Sequence, residues 1–248
     1  MRLIHATLMF SFLLVQTDLY SQKKHNYIQL SDNITTVSQQ ISGFDRVEIS
    51  DDFTVYLTFA NSEKVEIEAN ENLHDLINVE KTGRTLKIST QSYSTSNRRY
   101  ADKGAEEKLV AYISTRALTE IDLKDDVIME IEGTLEADQI NINMVDDCTL
   151  TADVAVEYLI VDLDGDSTAE LSGSALSMKI RANEDSLIKG EGLRAGDVAA
   201  KLKGDSEVKM IVDGDIDLNA KGDSLFEYRG SGSFVSRRLS GDSEVATW

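Results

Sequence analysis

Acidic residues recur at near-constant spacing in the second half of this 248-residue sequence, and they form its one suggestive chemical constellation. Asp126, Asp147, Asp166, Asp185, Asp205, Asp223 and Asp242 each precede a small or aliphatic residue, and each lies ~19 residues from the next. Stacked one above another, such carboxylates would stand ~5 Å apart and repel unless hydrogen bonds or cations offset the charge. Calcium takes several oxygen ligands and could bridge the ladder. Asp166, Asp185, Asp205, Asp223 and Asp242 are therefore candidate calcium ligands. Two features favour a structural role instead. The nine-residue Gly/Asp calcium repeat is absent, and several of these aspartates have Gly before and Ser after, as turns require. The structural reading predicts that each carboxylate meets backbone N–H or Ser groups of its own or a neighbouring repeat.

Other catalytic chemistry finds little support. His5, His25 and His74 are scattered, so neither a triad nor a zinc site has a His pair to build on. No Gly-x-Ser-x-Gly elbow occurs, and Gly190-Glu191-Gly192 with Gly196 misses the dinucleotide-binding spacing. Cys148 is the single cysteine, which rules out an intrachain disulfide. It stands where most other repeats have Ser and reads as a Ser-sized core residue. Exposed aromatics for stacking sugars are few, and so are basic residues within the repeats. That weighs against a polysaccharide-degrading enzyme.

The elements that must position the aspartates follow from periodicity. Let the residue after each Asp be position zero. Positions 0, +2 and +4 then share one face, as in Cys148, Leu150, Ala152 and in Ser206, Val208, Met210. Positions −8, −6 and −4 form a second apolar series, as in Leu159, Val161, Leu163 and in Met178, Ile180, Ala182. Alternation of this kind indicates half-buried strands. An open meander would not place equivalent corners at a constant step; stacked rungs ~4.8 Å apart do. The expected fold is all-β: a single-domain parallel β-helix of about seven ~19-residue rungs over residues 118–248, with less regular β structure over 41–117. Leu150, Val161, Leu163, Ile180, Ile188, Val208, Leu218 and Phe226 are the expected core. A Ser column at position zero could bond from rung to rung inside the corner.

Composition agrees. Pro is absent, as suits uninterrupted ladders. The net charge of −19 disfavours nucleic acid and anionic membranes as partners. Arg2 followed by the apolar run Leu3–Val15 reads as a secretory signal peptide over 1–21, because the run is too short to span a bilayer. Residues 22–40 are polar and aperiodic and read as a poorly ordered leader. Residues 92–106 form a polar break that reads as a long mobile loop. No second apolar stretch reaches spanning length, so no transmembrane anchor is expected in the mature chain.

The run Phe44-Asp45-Arg46-Val47-Glu48-Ile49, the segments Val55 to Phe59, Val65 to Ala69 and Leu86-Lys87-Ile88, and the Gly-Asp-Ser corners ending at Leu239-Ser240-Gly241-Asp242-Ser243 carry a resemblance over residues 41–248. They resemble the head GIN domain family of Bacteroidetes-type exported proteins, described as auto-transporter adhesin heads. The resemblance implies a β-helical fold and export, and supplies no catalytic residue. It also implies a small or Gly-rich turn where this chain has Asp51-Asp52-Phe53. The expected function is a non-enzymatic surface or envelope module, adhesin-like or scaffolding, with a glycan or protein partner and no cofactor. The alternatives are a calcium-dependent carbohydrate-binding module and, behind it, a polysaccharide-active enzyme. Export would place the protein in the periplasm, on the outer surface or outside the cell.

Overall fold

The computed structural model describes residues 30–91 and 106–248. The expected signal segment, the first part of the leader, and the polar break apart from Glu106 lie outside them. Strands account for most of the described chain. In order they are β1 (Ile34–Gln39), β2 (Arg46–Ser50), β3 (Thr54–Phe59), β4 (Lys64–Asn70), β5 (Ile77–Thr82) and β6 (Thr85–Thr90). Then come β7 (Leu109–Thr115), β8 (Glu120–Lys124), β9 (Ile128–Val145), β10 (Thr149–Asp164), β11 (Thr168–Ala182) and β12 (Leu187–Gly204). The last are β13 (Glu207–Val212), β14 (Asp215–Gly222), β15 (Leu225–Arg229), β16 (Ser233–Gly241) and β17 (Glu244–Thr247). One 3-10 segment, Glu71–Leu76, separates β4 from β5.

The chain forms a parallel β-solenoid of about seven turns. β9, β10, β11 and β12 pair in parallel along nearly their whole length, so each is a ribbon running from one corner, around a bend, to the next. The return side is therefore itself strand. The sequence alternation sets which side chains enter. Leu150, Val161, Leu163, Ile180, Ile188, Val208, Leu218 and Phe226 are buried. The core is aliphatic and continuous from rung to rung.

The N-terminal strands do not stack in chain order. β2 lies between β6 and β8, and β3 between β7 and β9. Beyond these parallel rungs the direction reverses: β4 pairs antiparallel with β7, β1 with β4, and β5 with β6. Thus the expected leader is not all leader, since β1 is a hydrogen-bonded strand. Its pairing uses backbone groups, and its apolar residues Ile34 and Val37 are exposed. An edge strand that buries no face leaves no apolar period to read. Fully buried Asn70 ties this cap together. Its Nδ2 donates to the carbonyls of Ser31 (2.9 Å) and Glu106 (3.1 Å), and its Oδ1 accepts from the Lys108 N–H (2.8 Å).

At the opposite end β16 and β17, the most C-terminal strands among the described residues, pair in parallel with the rung beneath. There the register slips around Val235, and Arg237 stands level with the core residue Leu218 of the rung beneath. Its guanidinium lies 5.5 Å from the Phe234 ring centroid. Trp248 is covered by Arg229 at 4.2 Å and Lys209 at 4.9 Å.

Candidate functional site

The aspartate edge is one column of equivalent corners, and it is longer than its sequence repeat. Asp52 belongs to it. Two residues before position zero, the backbone is left-handed at every corner: Asp51, Asp125, Asp146, Gly165, Glu184, Gly204, Gly222 and Gly241. Gly, Asp and, at one corner, Glu fill this position because Gly adopts such angles freely and Asp tolerates them. Asp51-Asp52-Phe53 is therefore the same corner as the Gly-Asp-Ser copies, with Phe53 buried at position zero. The Gly-rich turn implied there by family resemblance is replaced by an Asp turn.

The position-zero hydroxyls do bond between rungs. Ser167 Oγ reaches the carbonyls of Asp146 (2.7 Å) and Asp164 (3.2 Å). Ser224 and Ser243 repeat the pattern toward Gly204 and Gly222, both at 3.1 Å. Each hydroxyl shares its one hydrogen between the rung below and its own turn. Cys148 substitutes directly, with Sγ 3.1 Å from the Asp125 carbonyl. Burial pushes its thiol up to about 11, so the sulfur is a packed group rather than a nucleophile.

The carboxylates behave differently from the expectation. Those of Asp166, Asp185, Asp205, Asp223 and Asp242 are exposed and have no hydrogen-bond or ion-pair partner among the described residues. The turns are held by backbone geometry and the Ser column, so the predicted carboxylate bonds are not needed there. At the N-terminal corners the acids are engaged. Asp51 Oδ2 accepts from Thr90 N (2.6 Å) and Oγ1 (2.8 Å), and Asp125 Oδ2 accepts from Asp51 N (3.3 Å). Burial and the neighbouring Asp52 carboxylate hold the Asp126 carboxyl above the ordinary aspartate range. Among the described residues no group of three or more His, Cys, Asp or Glu is placed to hold a metal ion. His74 sits apart in the cap, its Nε2 3.1 Å from the Thr35 carbonyl.

Sequence reasoning missed a groove at the bend opposite the aspartate edge. Register shifts fall here in three pairings, β9 with β10 at Thr151/Asp153, β11 with β12 at Glu170/Ser172 and β12 with β13 at Gly190/Arg194, whereas β10 and β11 stay in register. Three of the changes in repeat length are thus accommodated at this bend, where the ribbons open a cavity of about 540 Å³. Its floor is apolar: Ile131, Ala152 and Leu171. Its walls are polar. Ser172 Oγ donates to Asp153 Oδ2 at 2.8 Å, and Lys189 Nζ to Glu170 Oε1 at 2.7 Å. No Tyr or Arg lines it, and its three carboxylates are already engaged: Asp153 and Glu170 as above, and Glu191 with Lys209 Nζ at 4.0 Å. The signal available in sequence was the variation of the repeat length itself, from 18 to 21 residues.

An outward column leads from this wall into the cap. Glu170, Thr151, Glu130, Tyr56 and Tyr112 occupy matched positions on successive rungs. Tyr56 and Tyr112 stack with ring centroids 5.6 Å apart and are each 39% exposed. Tyr112 Oη donates to Glu68 at 3.2 Å. The expectation of few aromatics holds by number but overlooks this pairing, which joins residues far apart in sequence.

A family model described as "Putative auto-transporter adhesin, head GIN domain" matches residues 43–232. Among solved structures, a putative adhesin from Bacteroides fragilis aligns with a TM-score of 0.75 at 21% identity, covering 89% of this chain and 98% of the other. A putative lipid binding protein from Parabacteroides distasonis aligns at 0.70 and 16% identity, covering 90% and 99%. A putative adhesin from Parabacteroides merdae aligns at 0.64 and 17%, covering 90% and 99%. At these identities the likeness concerns the fold. A comparison with curated proteins finds no match.

Proposed function

Because the chain belongs to the head GIN domain family, we propose that it is a non-enzymatic, adhesin-like recognition module of the cell envelope or exterior, holding a glycan along the groove and the tyrosine pair. One observation carries the reading: three register shifts fall at the same bend, which makes a groove in line with two exposed stacked rings. In repeat proteins, insertions collected on one face often mark the binding face. An apolar floor between hydroxyl and carboxylate walls suits the alternating polar and apolar faces of a sugar, and aromatic rings offer it a stacking surface. The walls are polar and the groove open, which suits a hydrated ligand better than an acyl chain. The acidic corners serve as turns in this reading. Among the described residues no helix is long and apolar enough to cross a membrane.

Cell fractionation tests the placement, and a glycan array with the mature protein tests the ligand. Binding to a neutral glycan is expected to fall about tenfold or more in Tyr112→Ala and in Ser172→Arg, the latter filling the groove. Retention of the protein in the cytoplasm, or glycan binding indifferent to both substitutions, would overturn the proposal.

A further inference from the structure

The sequence holds few basic residues within the repeats, yet the solenoid gathers them. On the side of the rung preceding the aspartate corner, the four most C-terminal rungs present Lys179, Arg181, Lys201, Lys203, Lys221 and Arg238 outward, with Asp217 among them, Asp197 and Asp215 at the far end of the strands and the corner aspartates at the near end. The register makes the clustering explicit. Arg181 lies beside Lys201, whose column continues through Asn219 to Arg238, and Lys203 lies beside Lys221. Adjacent rungs are ~4.8 Å apart, so like charges are packed closely. Arg181 pairs with Asp162 and Arg238 loosely with Asp217. Lys179, Lys201, Lys203 and Lys221 are exposed and have no ion-pair partner among the described residues. A shallow depression of about 80 Å³ lies over the small residue Ala199, rimmed by Lys179, Lys201 and Arg238.

On these strands six cations stand against three carboxylates, Asp197, Asp215 and Asp217, the reverse of the balance in a protein with net charge −19. Unpaired lysines in adjacent columns repel one another, and an anionic partner relieves that repulsion. We propose that this face binds a linear acidic polysaccharide, laid across the rungs so that successive carboxylates or sulfates meet successive cations. The surface chemistry selects this occupant. The outward positions carry no aromatic ring on which a nucleobase could stack. They offer no cluster of large apolar side chains to enter a bilayer or to form the dry centre of a protein interface. A repeating, hydrated polyanion requires neither. The face lies on a different side of the rung from the groove, so the two proposals stand or fall separately.

The test measures binding of the mature protein to immobilised polygalacturonate, with dextran as the neutral control and phosphatidylglycerol vesicles as the membrane control. Polygalacturonate should bind at low salt, dextran and vesicles should not, and added salt should release the polymer. The combined Lys179→Gln, Lys201→Gln, Lys203→Gln and Lys221→Gln variant should bind about tenfold or more weakly. Lys87→Gln with Lys124→Gln, on the N-terminal rungs of the same side, should leave binding unchanged. Failure of the wild type to bind polygalacturonate would sink the idea, as would binding insensitive to salt or to the fourfold substitution. Preference for the vesicles would assign the face to a membrane. Low-salt self-association that the fourfold variant abolishes would assign it to a second copy of the chain. Either result overturns the proposal.

Discussion

The two ends of the solenoid solve the same problem by different means. A stack of parallel rungs exposes a hydrogen-bonding edge and a cross-section of core at each end, and such an edge invites pairing with other chains. At the N-terminal end the chain reverses direction, pairing β4, β1 and β5 antiparallel with their neighbours, and Asn70 of β4 ties the segments leading into β1 and β7 together. At the C-terminal end the described strands stay parallel. An arginine occupies a core column, the register slips, and Trp248 lies under two cations. Among the described residues, one end is covered by reversed strands, and the other presents charged and aromatic side chains. An inward-facing charge and a bulge on an edge strand are recognised ways to discourage edge pairing.

This contrast can be broken by substitution, and the rungs between the ends set the scale. Ile180→Ala or Leu150→Ala, in the buried middle, should lower stability by about 2–5 kcal/mol in chemical denaturation. Val245→Ala in the last rung, where the side chain is only half covered, should cost less than about 1 kcal/mol. Equal costs would mean that the last rung is as well packed as the middle. Asn70→Leu strands the Ser31 and Glu106 carbonyls and the Lys108 N–H in the cap. A loss of about 1–3 kcal/mol is expected, with faster hydrogen exchange at Lys108. Arg237→Leu should barely move the denaturation midpoint but should bring on concentration-dependent association in sedimentation. If that variant stays monomeric, the guanidinium is not what blunts the edge.

The smallest effects distinguish the two halves of the aspartate edge. The folded-state carboxyl of Asp126 titrates above its unfolded value, so the fold favours its protonated form. The sign follows from linkage: this group disfavours the native state above its raised pKa, and that penalty disappears as pH falls below the unfolded value. Asp126→Asn should therefore raise the melting temperature slightly at pH near 7, with the gain vanishing in acid. Asp205→Asn, whose exposed carboxylate has no partner among the described residues, should leave the melting temperature at pH near 7 within about a degree of the wild type. A chelator is expected to leave both melting temperatures in place. A drop of several degrees would restore Asp166, Asp185, Asp205, Asp223 and Asp242 as calcium ligands.

The legible part of this molecule is the part that repeats. Positions 0, +2 and +4 could be aligned by eye because the buried face of each ribbon imposes alternation on Leu150, Ile188 and Val208 alike. The Ser column was foreseeable for the same reason, since one corner implies the next. What escaped the reading depends on contacts across rungs or on backbone alone. β1 has no buried face, so nothing periodic marked it. Lys201 and Lys221 look sparse along the chain and become neighbours of other cations only when rungs stack. Tyr56 and Tyr112 are separated by a whole cap before they meet. Asp51 looked like a departure because residue type was weighed, whereas the corner selects for a left-handed backbone.

The displaced N-terminal rung also has a consequence in time. β2 and β3 are made early, yet each is flanked by strands encountered only later in the chain: β6 and β8 for the first, β7 and β9 for the second. A polypeptide emerging from its N-terminus cannot complete that layer until residues beyond Ile128 have arrived. The later repeats need only the layer just before them, so they can add one at a time. Closing distant pairs is the slow kind of event in β-rich folding. The early segment therefore waits with its apolar strands uncovered while the repeats assemble quickly behind it. Pulse-labelled hydrogen exchange during refolding should show amides of β2 and β3 gaining protection no earlier than those of β8. Earlier protection would mean that the front of the chain folds without the layers on either side.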